Sequence, residues 1–365
     1  MFQINVAAEA ETNTRKHRVH EGSGILGRAW DVGMVAALFL IVLVGAATSS
    51  SAEEECGTWL PDFSCDREVR PEGHVAPMSM PYLFEDPYIT TELNLVGIYH
   101  GFPSDSLFNG GEAGVIALQA RLAITDRLAF IATKDGFTFL RSGTEHLDDE
   151  EGFMDITVGF KYAVIDDREA GLIVTPSLRY EIPLGNNEVF QGDGDGVLIP
   201  AVSLGYGPGN IHLIADFGAQ IAMNKQKDSS SIFYNIHLDQ AFEVDCIPGA
   251  KFIVPFIELS GMTWVDSGNG TVKVKVDELG VLPLRTVQDA LHGALGSTAS
   301  LRGEGADIAN LGSSGVQGAT LITMAWGIRV PFENGFTTGI SYERVLSSRQ
   351  DIFEQRVTAM VSYDF

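Results

Sequence analysis

From about residue 90 to its end the chain alternates apolar and polar side chains with a period of two. "MDITVGFKYAVI" sets Ile156, Val158, Phe160, Tyr162 and Val164 on one face against Asp155, Thr157, Gly159 and Lys161 on the other. "GLIVTPSLRYEI" repeats the design, with Leu172, Val174, Leu178, Tyr180 and Ile182 opposite Thr175, Ser177, Arg179 and Glu181. In "LITMAWGIRVPF" the apolar face is Ile322, Met324, Trp326, Ile328, Val330 and Phe332. Alternation held over ten or more residues predicts long strands with two unlike faces. About twelve such segments follow one another, at roughly 90–101, 113–124, 127–140, 153–165, 170–183, 197–206, 211–223, 231–243, 252–265, 319–332, 336–346 and 355–365. Pro176, Pro200 and Pro255 fall inside segments, where proline removes a ladder donor. The third segment loses its phase near Lys134, as at a bulge.

The connections alternate as well. "TDR", "DDRE", "GPGN", "DCIPGAK" and "ENG" follow the even segments; longer linkers such as "RSGTEHLDDEEG", "GNNEVFQGDGDG" and the stretch 266–318 follow the odd ones. Strands of this length, with short turns at one end and long loops at the other, predict an antiparallel transmembrane β-barrel of about 12 strands, with short periplasmic turns and long extracellular loops. An exported β-sandwich is the rival, but its strands usually run about 5–6 residues and need no such asymmetry. A one-residue slip of any strand would turn Lys161, Arg179 or Arg329 towards lipid, at about 2–4 kcal/mol for a basic residue near the midplane. Tyr99, Tyr162, Tyr180, Tyr206, Tyr342 and Tyr363 lie towards strand ends, as interfacial aromatic girdles require.

The amino terminus changes the picture by adding an export route. An apolar run from Met34 to about Ala47, preceded by Arg15, Lys16, Arg18 and Arg28 and followed by small residues, reads as a signal peptide over 1–52 with cleavage after Ala52. An uncleaved anchor is the alternative, though the run is short of the roughly 20 residues a spanning helix needs. The organisation expected is therefore a signal peptide over 1–52, an N-terminal extension or plug over 53–89, and a barrel over 90–365 with a long extracellular loop at 266–318. Within that loop "LRTVQDALHGAL" reads as a short helix, and a surface lid is the expected role.

The formal charge is −24 for 365 residues, and it stays −24 without residues 1–52, which hold four basic and four acidic side chains. That balance excludes a nucleic-acid partner, which needs a basic face. Three cysteines, Cys56, Cys65 and Cys246, leave three pairings open; in an oxidising compartment Cys56–Cys65 is the plausible bridge.

The face opposite the apolar one carries both signs: Glu92, Arg121, Asp155, Lys161, Arg179, Glu181, Asp216, Asp239, Glu258, Arg329, Glu343 and Arg356, with His212 and His237. These are the candidate lumen-lining residues, either as salt-bridged filling or as a charged water path. Asp193 and Asp195, in the acidic "QGDGDG" loop, are weak candidates for calcium or magnesium, and no full EF-hand pattern surrounds them. No other cofactor is expected. No H-E-x-x-H or G-x-S-x-G string occurs, and no residue is assigned as catalytic.

The closing "VTAMVSYDF", with Val361, Tyr363 and Phe365 on one face, resembles the C-terminal sorting signal read by the barrel-assembly machinery. "FEDPYITTELNLVGIYHGFPSDSLF", "LQARLAITDRLAFIATKDGF", "DITVGFKYAVIDDREAGLIVTPSLRYEIPLGN" and "GADIANLGSSGV" resemble a group of bacterial outer-membrane barrels near the transporter-like proteins named for the meta-pathway of phenol degradation. The resemblance spans most of 84–365 and transfers no functional residue. It implies a barrel and the passage of small aromatic or apolar molecules; the leading expectation is a monomeric outer-membrane channel or transporter for small solutes, among outer-membrane lipid and lipopolysaccharide. A non-conducting structural or adhesive barrel, whose outer loops bind a surface partner, is the alternative.

Overall fold

The structure, a computed structural model, describes residues 70–104, 106, 108–144, 147–269, 273–276, 280–283 and 304–365. The expected signal peptide, Cys56, Cys65 and the "LRTVQDALHGAL" helix lie outside them.

Twelve strands form the wall: β1 Glu92–Gly101, β2 Glu112–Ala123, β3 Leu128–Lys134 with Phe137–Arg141, β4 Glu150–Phe153 with Ile156–Tyr162 and Ile165–Asp167, β5 Leu172–Ile182, β6 Val197–Tyr206, β7 Ile211–Ala222, β8 Ser230–Gln240, β9 Phe252–Asp266, β10 Thr320–Pro331, β11 Phe336–Val345 and β12 Gln355–Asp364. Each pairs antiparallel with its chain neighbour. β1 also pairs with β12, from Glu92 opposite Asp364 to Gly101 opposite Gln355, so the sheet closes and leaves no edge. Pro176, Pro200 and Pro255 remain inside β5, β6 and β9. Each removes one donor while the pairing on both sides continues.

The lost phase near Lys134 has a local cause. The register of β3 against β4 shifts between Ala132 and Lys134. Gly136 takes φ +120, and a Cβ there would stand 2.6 Å from the Ile116 carbonyl oxygen. Only glycine fits this corner. The Asp135 carboxylate accepts the Leu118 N–H at 2.9 Å, replacing a ladder bond lost at the break.

Two surfaces result. Outside, Leu118, Phe160, Leu178, Phe217, Ile236, Leu259 and Trp326 are exposed. Inside, the polar positions of the same strands are buried, with Arg179, Arg329 and Arg356 at 1%, 1% and 0% exposure. These values mean the lumen is filled. Residues 70–91, ahead of β1, run within the ring of strands, and Met78 and Tyr82 join a core cluster with Phe108, Phe190, Ile308 and Ile352. Loop residues from several connections thus converge on the same core.

The expectation of a surface lid over 266–318 is corrected at its described end, where Glu304, Asp307, Ile308 and Leu311 are buried. Two forces draw this stretch inward. Asp307 pairs with the buried Arg356 at 2.6 Å, and Ile308 and Leu311 pack with the N-terminal segment.

Candidate functional site inside the barrel

The inward charges are organised around residues 70–91. Arg121 forks onto Glu85 (Nε–Oε1 3.2 Å, Nη2–Oε2 2.8 Å), and Lys161 donates to Glu85 Oε1 at 2.9 Å and to the Asp86 carbonyl at 2.7 Å. Glu92 is bonded by Arg70, which also reaches Asp86 and Asp364. Arg179 donates to the Tyr82 and Leu83 carbonyls, each at 3.0 Å. Arg329 reaches the Ala76 carbonyl at 2.9 Å and Ser362 Oγ at 2.6 Å. Glu258 accepts the Met78 and Ser79 N–H groups at 2.9 and 2.6 Å. The wall therefore satisfies the backbone of an irregular segment that has no strand partner of its own, which an enclosed chain requires.

The remaining candidates hold loops or one another. Asp155 accepts the Gly185 and Gly192 N–H groups at 2.9 and 2.8 Å and so pins the loop after β5. Glu181 pairs with Lys134 at 3.0 Å, and Asp216 accepts from Ser203 at 3.0 Å. Glu343 accepts from Thr323 at 2.6 Å and lies 3.4 Å from Arg356. Asp239 joins two histidines, accepting from His212 Nδ1 at 2.6 Å and His237 Nε2 at 2.8 Å; His237 Nδ1 in turn contacts Glu258 at 2.7 Å. His212 and His237, noted from the sequence, are thus members of one buried chain.

Glu85, Asp86, His74, Glu304 and Asp307 were not among the sequence candidates. They sit in 70–91 and 304–318, which lack alternation and so carry no inward-facing phase. The metal candidates Asp193 and Asp195 have protein partners: Lys227 Nζ lies 3.4 Å from Asp193, and Asn224 donates to Asp195 at 3.0 Å. Tyr363 is half-buried and stacks edge-on with the exposed Phe365 at 4.8 Å, while the Phe365 N–H bonds the Thr91 carbonyl at 3.1 Å. Cys246 is exposed with a free thiol.

At the end bearing the short turns, a cavity of about 840 Å³ opens between residues 70–76 and the wall. Arg70, Glu92, Asp166, Arg168, Arg329 and Asp364 contribute to its lining. Charges of both signs face this cavity, beneath the filled part of the lumen. An apolar exterior, an ionic interior and a sheet without edges are the arrangement that lipid demands of a strand-built protein. The fold is that of a bacterial outer-membrane β-barrel. No helix among the described residues is long and apolar enough to cross a membrane.

No protein-family model matches the chain, and no curated protein matches its sequence. Solved structures resemble it in backbone only. The COG4313 outer-membrane channel from Pseudomonas putida F1 is 13% identical, with a TM-score of 0.46, over 80% of this chain and 100% of that one. The NanC porin is 9% identical, with a TM-score of 0.41, over 75% and 99%. LpxR from Salmonella typhimurium is 8% identical, with a TM-score of 0.40, over 75% and 100%. These likenesses concern the barrel.

Proposed function

We propose that the protein is an outer-membrane channel for small solutes whose lumen is stopped by its own N-terminal segment, residues 70–91 acting as a plug. The observation that carries this reading is the kind of bond that holds the segment. Side chains of β2, β4, β5, β9 and β10 grip it through reversible ionic and hydrogen bonds, with no strand pairing to the wall. Releasing it would uncover a ring of both signs, including Arg121, Lys161, Arg179, Glu258 and Arg329, of the kind that selects solutes in a water path. The resemblance to barrels near the phenol meta-pathway transporters supports small aromatic or apolar molecules as cargo. No residue is assigned to catalysis. The C-terminal Tyr363 and Phe365 serve insertion by the barrel-assembly machinery, and the barrel works as a monomer among lipid and lipopolysaccharide.

The near-zero exposure of the inward charges favours a second reading, a permanently closed barrel whose outer loops bind a surface partner. Planar-bilayer conductance of a variant lacking residues 70–89 separates the two. The channel reading expects small, steady conductance well above that of the intact chain. A deleted barrel that inserts and folds but stays silent would leave only the closed, adhesive reading.

A further inference from the structure

One cluster inside the barrel has no part in gripping the plug backbone. His74 on the segment, His212 on β7 and Asp239 on β8 each offer a ligand atom, and these atoms lie within 4.8 Å of one another. All three residues are buried. The two imidazoles are held in a particular way. Asp86 lies 3.0 Å from His74 Nε2, and Asp239 lies 2.6 Å from His212 Nδ1. A carboxylate only accepts, so the ring proton of each histidine sits on the nitrogen facing its carboxylate. That leaves bare lone pairs on His74 Nδ1 and His212 Nε2, and both atoms are buried with no hydrogen-bond partner. An orphaned buried acceptor is costly unless something occupies it.

Imidazole with a carboxylate behind it and a free lone pair ahead is how proteins prepare histidine to bind metal. The carboxylates are themselves fixed, Asp86 by Arg70 at 3.0 Å and Asp239 by His237 at 2.8 Å. His74 also lines the cavity of about 840 Å³ at the turn end, which gives an ion a way in and water to fill remaining coordination positions. Two imidazole nitrogens suit a borderline divalent ion, zinc, copper or nickel, better than calcium or magnesium, which take oxygen ligands.

We propose that His74 Nδ1 and His212 Nε2, with Asp86 and Asp239 as the carboxylates behind them, form a binding site for a divalent transition-metal ion that staples the N-terminal segment to the β7 wall. One imidazole comes from the wall and one from the segment, so an ion bound here ties the segment down without any covalent link. The staple stands whether or not the barrel conducts.

The test uses the full mature chain without a histidine tag, in detergent and stripped with EDTA. Zinc titration against a chromophoric chelator is expected to show one tight site per chain, weakened by at least about tenfold in His74→Gln and in His212→Gln. Copper at one equivalent is expected to give an electron paramagnetic resonance spectrum with two imidazole nitrogens, reduced to one in either variant. Circular dichroism confirms that the variants keep the barrel. Zinc is also expected to slow proteolysis within residues 70–91 in the wild-type chain and not in His212→Gln. The proposal is overturned if no stoichiometric site is found, if copper shows oxygen ligands alone, or if folded variants bind as tightly as the wild type.

Discussion

Leu178 and Arg179 are adjacent in β5 and meet opposite worlds. Leu178 is 54% exposed on the outer wall, while Arg179 is 1% exposed and holds two carbonyls of the plug. A buried guanidinium is tolerable only when its donors are engaged and opposite charge is near. Arg179 Nη1 and Nη2 are engaged in this way, whereas at Leu178 an arginine would face hydrocarbon with nothing to bond. Leu178→Arg is expected to destabilise the barrel by about 2–4 kcal/mol, read as a lower midpoint of denaturant unfolding in liposomes. An unchanged midpoint would mean this face is not lipid-facing at that depth. Alternation alone placed Arg179 and its eleven charged counterparts inward in the sequence, because a side chain's face follows from its parity along the strand. Their partners were not legible. That Arg121 meets Glu85, or Arg356 meets Asp307, depends on how irregular segments thread a closed ring, and no local periodicity encodes such threading.

Among the elements, the strands were readable to within three residues, and the break in β3 was visible as lost phase at Lys134. The stretch before β10 was not: a long linker with a short helix reads as a surface lid, yet 304–311 is drawn in. Glu304 organises it, accepting the Leu311 and Ser313 N–H groups at 2.8 and 2.7 Å and the Ser229 hydroxyl at 2.9 Å. Burial, reinforced by the Asp351 carboxylate, pushes Glu304 from its ordinary value near 4.5 up to about 7, against the pull of those three donors. A carboxyl whose folded-state value is raised binds its proton more tightly folded than unfolded. Its contribution is therefore full below about 4.5 and is lost as pH rises through about 7. Hydrogen exchange of the Leu311 and Ser313 amides, corrected for intrinsic rates, is expected to be faster at pH 8 than at pH 5. Glu304→Gln, which cannot ionise, is expected to flatten that difference; equal protection at both pH values in the wild type would contradict the assignment.

As a whole molecule the protein is a closed wall around a chain segment that it holds by polar contacts and by the apolar packing of Met78, Met80, Tyr82, Leu83 and Phe84, with no strand pairing, and the functional reading depends on that segment being able to leave. The contact between Ser79 on the plug and Ser260 on β9, Oγ to Oγ 3.1 Å, offers a direct handle. In a Ser79→Cys, Ser260→Cys double variant a disulfide would fasten plug to wall, and a reductant would free it. Single-channel conductance of this variant, measured oxidised and then reduced in the same bilayer beside a wild-type chain treated identically, tests the central claim. A gated channel is expected to be silent when thiol titration shows the bridge formed and to open events on reduction that match the wild type. Identical traces before and after reduction would contradict it.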